Sequence, residues 1–289
     1  MSTTYGSQSM IASLRRVLVK RPDEAFAVEE PDKWHYTARP NLEIARQEHD
    51  TLVALLQQAG VEVIYHNEPQ PERADAIFVF DPALITDQGA IILSMGKELR
   101  RGEEAAMARC LEAVGVPVHY TLRDLARAEG GDLLWVDDKT LAVGLGFRTN
   151  AEGLRQLEAA LAGQGVTIIP VELPYYTGPE ACLHLLSLIS IVDHKMAVVY
   201  PPLLSVPFWQ YLQERGFHLI EVPPEEFETM GPNVLALAPG QCLMLEGNPI
   251  TQRRLVEAGC EVLTYQGNEI SLKAEGGATC LTRPILRSP

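Results

Sequence analysis

The feature of this sequence that most constrains its fold is a pattern that recurs five times: a helical stretch, a glycine and a short apolar strand. The copies contain QQAGVEVIY, EAVGVPVHY, AGQGVTIIP, QERGFHLIE and VEAGCEVLT. Glycine ends a helix in the left-handed conformation at little cost, so each copy predicts the same boundary between a helix and a strand. We number the five repeated units from one to five in chain order, each by its glycine. Successive glycines are 55, 50, 51 and 43 residues apart: Gly60, Gly115, Gly165, Gly216 and Gly259.

The residues before each glycine predict a hairpin followed by an amphipathic helix. In unit one, Leu52, Leu55, Leu56 and Ala59 follow the i, i+3, i+4, i+7 spacing of one helix face. In units three and four, LLWVDDKTLAVGL and ISIVDHKMAVVY carry matching Val-Asp-x-Lys turns 56 residues apart. Each unit therefore runs strand, turn, strand, helix, glycine, strand.

Units of this size cannot bury their apolar faces alone and must pack on one another. Arranged radially, they close a ring that leaves few exposed edges. The sequence predicts an α/β fold: one domain over residues 1–289 that forms a fivefold pseudo-symmetric α/β propeller with a central channel. The C-terminal GGATCLTRPIL would supply the missing first strand of unit one beside LRRVLVKR. Residues 23–40, rich in proline and aromatics, form either a lid or a plain surface loop.

Charge and composition narrow the partners. Lys and Arg total 24 against 38 Asp and Glu, a net charge of −14, whereas nucleic acid binding needs clustered basic residues. No apolar run approaches the ~18 residues of a membrane span, the N-terminus does not resemble a signal peptide, and five cysteines without paired spacing do not form a disulfide framework. We expect a cytoplasmic protein that binds a cationic small molecule and neither nucleic acid nor membrane.

Superposing the units brings ionisable residues to one rim of the ring. Glu129 precedes the first strand of unit three, and His184 falls within one position of it in unit four. Asp81 of unit two aligns with Gly131, and the C-terminal strand brings Cys280 to the same rim. A cysteine, a histidine and two carboxylates in one concavity form a catalytic pattern.

Each of these residues also has a structural interpretation. Cys280 would be a small buried side chain, although the two preceding glycines favour a close backbone approach instead. His184, flanked by leucines, would be a core histidine. Glu129 and Asp132 would be capping acids beside a Gly-Gly turn. Their convergence at one rim favours the catalytic interpretation.

Three motifs together identify a family resemblance. EGGD (129–132), Leu-His-Leu (183–185) and GG-x-x-C (276–280) resemble the guanidine-modifying pentein superfamily, which includes dimethylarginine dimethylaminohydrolases, arginine deiminases and amidinotransferases. The resemblance runs in order over nearly the whole chain and implies the fivefold propeller. The dimethylarginine dimethylaminohydrolase branch is the most similar. It implies a hydrolase that converts dimethylarginine to citrulline and dimethylamine without a metal or a cofactor.

The resemblance also implies a role for each site residue. Cys280 would be the nucleophile, His184 the general acid and base, and Glu129 a carboxylate for the guanidinium group. Asp75 would bind the α-amino group, Phe78 would line the pocket, and Asp81 would bind guanidinium nitrogen. The other implied substrate-binding residues are Asp132 in EGGD, Arg148 in FRTN for the substrate carboxylate, and Arg100 or Arg101 in ELRRGEE as a second arginine.

Two departures leave alternatives open. Phe80 stands where the branch often has an acidic residue, so the preference for methylated over unmodified arginine is open. Leu186 stands where arginine deiminases and amidinotransferases have an aspartate, which counts against both. These activities, an arginine dihydrolase and a non-catalytic propeller that binds a partner protein remain as alternatives. The oligomeric state also stays open, with a homodimer as one option.

Overall fold

The computed structural model describes residues 4–179 and 183–288, and its strands form five three-stranded sheets. The helices are α1 (Pro31–Trp34), α2 (Leu42–Gln58), α3 (Glu103–Ala113), α4 (Ala151–Leu161), α5 (Val206–Glu214) and α6 (Pro249–Glu257). The strands are β1 (Ser13–Val19), β2 (Glu62–Tyr65), β3 (Ala83–Thr86), β4 (Gly89–Ile92), β5 (Val118–Thr121), β6 (Leu133–Asp137), β7 (Thr140–Leu145), β8 (Thr167–Glu172), β9 (Ile189–Asp193), β10 (Met196–Val199), β11 (His218–Glu221), β12 (Val234–Ala238), β13 (Gln241–Leu245), β14 (Glu261–Tyr265) and β15 (Arg283–Ser288).

All five sheets have the same topology. In unit three, β7 pairs antiparallel with β6 across a tight turn and parallel with β8. The parallel pair needs a long connection, which α4 provides. Unit one is completed by the C-terminal strand, because β1 pairs antiparallel with β15 and parallel with β2. The predicted order of strand, turn, strand, helix and strand is confirmed.

The five repeated glycines have the predicted left-handed conformation. Their φ angles are 80°, 86°, 69°, 75° and 96° in chain order. A Cβ atom at any of them would meet no neighbour within 4 Å. The left-handed backbone conformation, not crowding, therefore requires glycine at these positions. They lie two residues past the helix in four units and four residues past α4 in unit three.

The apolar core lies between neighbouring units. Five clusters of buried side chains each join two consecutive units, and the cluster around β1 and β12 joins unit five back to unit one. The ring is therefore closed, as the propeller interpretation predicts. Members that the two units contribute to the same cluster include Leu18 and Ile85, Leu93 and Leu133, Leu134 and Ile189, Val192 and Val234, and Leu235 and Leu14.

Two buried arginines of β15 fasten unit one to its neighbours. Arg287 donates to the carbonyl oxygens of Ala12 at 2.7 Å and Ala236 at 2.9 Å. Arg283 donates to the carbonyl of Phe80 at 3.2 Å and lies 3.7 Å from the centre of its ring. Burial lowers the pKa of both guanidinium groups to about 9. Through these contacts β15, which follows Cys280 in unit one, is bonded to unit two on one side and to unit five on the other.

Residues 23–40 are packed onto the ring and are not a plain surface loop. Phe26 and Tyr36 are buried, with ring centres 5.8 Å apart, and Trp34 at the end of α1 is also buried. The amide of Thr37 donates to the carbonyl of Lys273 at 2.9 Å. Trp34 and His35 line the cavity described below, so this segment forms part of its wall. None of the described helices combines the length and apolar character needed to span a bilayer.

Candidate active site

One cavity collects most of the residues that the sequence singled out. Glu129 lies directly behind its wall with no exposed surface. The residues of this set that line the cavity are Asp75, Phe78, Asp81, Arg100, Arg148, His184 and Cys280. These cavity residues come from units two, three and four and from the turn before β15. The superposed repeats predicted a common rim for Asp81, His184 and Cys280, whereas the family resemblance implied the other four.

The Gly-Gly turn of EGGD allows three units to meet. A Cβ atom at Gly130 would lie 2.3 Å from the carbonyl oxygen of Phe80, and one at Gly131 would lie 2.5 Å from Nδ1 of His184. The amide of Gly131 also donates to Oδ1 of Asp81 at 2.8 Å. Only glycine leaves room for the imidazole at this point.

We therefore expect Gly131→Ala to lower kcat at least tenfold. The added methyl carbon would displace the imidazole of His184, and a misplacement of about 1 Å at a reacting group can cost about a hundredfold in rate. Steady-state kinetics on the purified variant would measure the loss. Gly146→Ala is the matched control, because its Cβ would meet only the flexible side chain of Leu173, at 3.3 Å. An unchanged kcat for Gly131→Ala would show that this close approach does not position His184.

Glu129 holds the imidazole of His184 in place. Its Oε2 atom lies 2.7 Å from Nε2 of His184 and 3.2 Å from Nη1 of Arg148. Its Oε1 atom accepts the amides of Gly96 at 2.9 Å and Lys97 at 3.0 Å. Burial opposes ionisation of Glu129, but the charge of Arg148 and the hydrogen bond to His184 outweigh it and hold its pKa well below the usual range. Glu129 is thus a fixed carboxylate that orients the histidine.

Asp132 lies outside the cavity, contrary to the substrate-binding role implied for it. Its side chain is fully buried and accepts the hydroxyl of Thr149 at 2.6 Å and the amide of Leu185 at 3.0 Å. Burial raises its pKa to about 6. Both oxygens are used to join the loops of units three and four, so Asp132 supports His184 from behind.

Arg100 and Arg101, the two candidates for the second substrate-binding arginine, are in different surroundings. Arg100 is buried, with Nη1 2.5 Å from Oδ2 of Asp81 and Nη2 2.8 Å from Oε2 of Glu103. Arg101 has a side chain that is 45% exposed, lies 3.4 Å from Glu98 and does not line the cavity. The structure therefore brings Arg100, and not Arg101, to the site, where it holds Asp81.

Asp75 faces the other end of the cavity and has two partners that no sequence pattern indicated. The hydroxyl of Tyr36 donates to its Oδ1 at 2.8 Å, and Nζ of Lys97 lies 2.6 Å from its Oδ2. Neither partner belongs to a motif that could have signalled it. Tyr36 lies in the segment 23–40, and Lys97 is three residues ahead of Arg100 in the loop before α3.

Cys280 lies in a turn that its two preceding glycines make room for. A Cβ at Gly276 would lie 2.2 Å from the ring of Phe78, and one at Gly277 would lie 2.5 Å from Oδ1 of Asn233. The side-chain amide of Asn233 donates to Sγ of Cys280 at 3.6 Å. Nothing in the sequence marks this asparagine, which follows a Gly-Pro pair ahead of β12 like an ordinary turn residue.

The reacting end of the cavity is built to surround a cation. Ligand atoms of Asp81, Glu129 and His184 all lie within 4.8 Å of one another, the kind of spacing that would also hold a metal ion. However, Glu129 already accepts hydrogen bonds from a guanidinium and two backbone amides. A metal ion or a substrate N–H group would have to displace these bonds at Glu129. Asp81 is the carboxylate here that can receive a cation, because its Oδ1 accepts the amide of Gly131, its Oδ2 pairs with Arg100, and each oxygen keeps a further lone pair.

The closed fivefold ring with this rim of side chains is the architecture of the guanidine-modifying pentein superfamily, and comparison with known proteins places the chain there. Residues 25–287 match the family model described as N,N dimethylarginine dimethylhydrolase, eukaryotic, so the protein belongs to the dimethylarginine dimethylaminohydrolase family.

Relatives of known sequence cover most of the chain. The uncharacterized protein YkgA of Bacillus subtilis is 29% identical over 99% of this chain and 94% of its own length. The N(G),N(G)-dimethylarginine dimethylaminohydrolase of Streptomyces coelicolor is 30% identical over 83% of this chain and 85% of its own. The enzyme of the same name from Pseudomonas aeruginosa is 28% identical over 86% and 91%.

Solved structures agree with this placement. A mutant of the Pseudomonas aeruginosa enzyme complexed with citrulline superposes with a TM-score of 0.79, 25% identity and coverage of 94% of this chain and 99% of its own. The amidinotransferase SxtG from Microseira wollei superposes with a TM-score of 0.80 at 17% identity, covering 99% of this chain and 98% of its own. At that identity the likeness concerns the fold alone.

Proposed function

We propose that this protein is a hydrolase that cleaves a C–N bond of the guanidinium group of an arginine-type amino acid, converting dimethylarginine to citrulline and dimethylamine. The observation that carries the proposal is the meeting of Cys280, His184 and Asp81 in one cavity, with Glu129 bonded to the imidazole at 2.7 Å. Relatives named as dimethylarginine dimethylaminohydrolases support the same reaction. A cytoplasmic location is part of the proposal.

The cavity meets the first requirement of this chemistry, which is to bind a poor electrophile. A guanidinium ion is stabilised by resonance, so the site must hold it as a cation beside a strong nucleophile. Asp81 lines the cavity, and each of its oxygens has one protein partner, from Gly131 and Arg100. A carboxylate oxygen can accept a second hydrogen bond, so Asp81 can receive guanidinium N–H groups without losing its support.

The first half-reaction forms a covalent intermediate. The thiolate of Cys280 attacks the central guanidinium carbon, and a C–S bond forms as one C–N π bond moves its electrons onto nitrogen. His184 then protonates the dimethylamine nitrogen, the C–N bond breaks, and a thiouronium group remains on Cys280. The amide of Asn233, 3.6 Å from Sγ, stabilises negative charge on the sulfur whenever Cys280 is a thiolate.

The second half-reaction hydrolyses the thiouronium group and regenerates the free Cys280 thiolate. The imidazole of His184, now neutral and held by Glu129, takes a proton from water, and the hydroxide attacks the thiouronium carbon. The C–S bond breaks, the sulfur leaves as the thiolate of Cys280, the hydroxyl proton passes to solvent, where the released dimethylamine can take it up, and the ureido group of citrulline is released. One water molecule is consumed, and no electron transfer is needed.

A panel of guanidino compounds tests the proposal. The protein is incubated with dimethylated, monomethylated and unmodified arginine, with and without added amines, and the ureido product is measured. We expect ureido product and free amine in equal amounts from the methylated substrates, whatever amine is added. Transfer of the amidino group to the added amine, or product from none of the compounds, would contradict the proposal.

Arg148 is proposed to bind the substrate carboxylate, and its removal should change substrate preference. Its guanidinium is buried and lines the cavity, so a carboxylate paired with it is withdrawn from water. We expect Arg148→Met to raise KM for arginine-type substrates by the equivalent of about 2–5 kcal/mol and to narrow their advantage over agmatine, the decarboxylated analogue. Steady-state kinetics on both substrates provide the measurement.

Two features make this experiment decisive. Arg148 also contacts Glu129, so its loss should lower kcat on both substrates alike, and only the ratio of the two kcat/KM values reports the carboxylate contact. Arg155→Met is the matched control, because that side chain is 65% exposed on α4. An unchanged preference in Arg148→Met would remove Arg148 from carboxylate recognition.

A further inference from the structure

We propose that Lys97 determines substrate specificity by exchanging partners: in the free site it neutralises Asp75, and on binding it transfers to the α-carboxylate of the substrate, which it shares with Arg148, while Asp75 accepts the α-ammonium group. The proposal rests on the proposed function, because it assigns the head group of a guanidino substrate. Its structural basis is the buried ion pair between Lys97 and Asp75, which faces the cavity and in which Lys97 belongs to no recognised sequence motif.

The Lys97–Asp75 pair lies in the wall of the cavity. Nζ of Lys97 is 2.6 Å from Oδ2 of Asp75 and 2.8 Å from the carbonyl oxygen of Trp34, and it lies 5.4 Å from the centre of the Trp34 ring. The two charged side chains are only 10% and 5% exposed. Such a buried pair contributes little net stability, because both charges lose their hydration. Its position in the cavity therefore points to binding.

The loop that carries Lys97 links the two ends of the site. The amides of Gly96 and Lys97 both donate to Oε1 of Glu129 at the reacting end, whereas the Lys97 side chain reaches Asp75 at the far end. A Cβ at Gly96 would lie 2.6 Å from the carbonyl oxygen of Arg148, so the backbone is held closely there. Only the flexible four-carbon side chain of Lys97 can move its charge between two neighbouring anions.

The charges predict which head groups fit. Asp75 holds one ammonium group already, and an incoming ammonium group alone would be repelled by Lys97 across the shared carboxylate. An α-amino acid brings its own carboxylate beside the ammonium, so one ion pair is replaced by two. Agmatine brings the ammonium without the carboxylate and gains no partner for Lys97. Lys97 should therefore favour a zwitterionic head group and disfavour a purely cationic one.

Equilibrium binding to variants in a Cys280→Ser background separates these contributions, because no turnover is then expected. Calorimetry would measure the Kd of three ligands: arginine, agmatine, and 5-guanidinovalerate, which keeps the carboxylate and lacks the ammonium. We expect Lys97→Met to weaken arginine and 5-guanidinovalerate at least tenfold and to tighten agmatine at least threefold. Asp75→Asn should weaken arginine and agmatine and spare 5-guanidinovalerate.

Controls keep the result attributable to Lys97. Lys139→Met removes the same charge from an exposed hairpin turn and should change no Kd. If Lys97→Met fails to fold, Lys97→Gln keeps hydrogen-bonding groups near Asp75 and the Trp34 carbonyl without the charge, and it should show the same reversal. The opposite signs for arginine and agmatine are the diagnostic result, since a lysine that merely held the wall in place would weaken all three ligands.

The outcomes also distinguish this proposal from the proposed function. If the unmodified protein forms no ureido product but Lys97→Met still weakens arginine and tightens agmatine, the reaction is wrong and the role of Lys97 stands. If ureido product forms but Lys97→Met changes all three Kd values by the same factor, or none of them, the role of Lys97 is overturned and the reaction stands. Absence of binding by all three ligands to the Cys280→Ser protein would also overturn it.

Discussion

Replacing Cys280 with serine is expected to abolish turnover and leave the fold intact. Serine is nearly isosteric with cysteine, and Cys280 is half-buried in a turn at the cavity, so the packing around it should hardly change. A serine hydroxyl has a much higher pKa than a thiol and cannot supply the anionic nucleophile that a resonance-stabilised guanidinium requires. We expect kcat to fall at least a hundredfold, as measured by release of amine.

A second cysteine provides the control for this variant. Cys110 on α3 is also half-buried but packs against the core of units one and two, so Cys110→Ser should retain its kcat. Thermal unfolding of both variants would show that any loss of activity is not a loss of fold. Retention of more than a few per cent of the activity by pure Cys280→Ser would remove the cysteine from the mechanism.

Replacing His184 with alanine is expected to stop the reaction at one of two identifiable points. Without the acid, the amine cannot leave; without the base, water cannot be activated against the thiouronium group. If only the second step is blocked, mass spectrometry of the intact protein will show a stable adduct on Cys280. We expect a loss of at least a hundredfold in kcat, with or without this adduct.

His194→Ala is the matched control for the histidine. His194 lies between β9 and β10 in an exposed hairpin turn, so its removal should leave turnover unchanged. If His184→Ala shows neither a loss of activity nor an adduct, His184 has no part in the chemistry, and the contact with Glu129 is only structural.

The repeated pattern of the sequence is sufficient to predict the ring and its rim. A left-handed residue between a helix and the following strand strongly favours glycine, so this boundary can be recognised in the sequence from one residue. All five repeated glycines have the left-handed conformation between a helix and a strand. Because equivalent strands start at the same rim, aligning the repeats is enough to bring Asp81, His184 and Cys280 together. Asp81 and Gly131, which the repeat alignment matched, are in direct contact, because the amide of Gly131 donates to Oδ1 of Asp81.

The contacts that complete the site could not be predicted in this way. Tyr36 reaches Asp75 from a segment outside the repeated pattern. Asn233 directly precedes β12 as Asp132 precedes β6, but that repeated position does not indicate that its amide reaches Cys280. Arg100 and Arg101 are adjacent in sequence, and only the direction of the chain at residues 98–101 decides which one is buried. Asp132 belongs to the same motif as Glu129 but turns its carboxylate toward backbone and hydroxyl donors. Side-chain direction in irregular loops depends on packing between units, which periodicity does not encode.

Hydrolysis through a thiouronium group on Cys280 is tested most directly by following one oxygen atom. The protein is supplied with dimethylarginine in water enriched in heavy oxygen, and mass spectrometry measures the label in the ureido group while the released dimethylamine is quantified. We expect one heavy oxygen and one dimethylamine per citrulline, because water must attack the thiouronium carbon. Absence of citrulline, or citrulline without the label, would contradict hydrolysis through this intermediate.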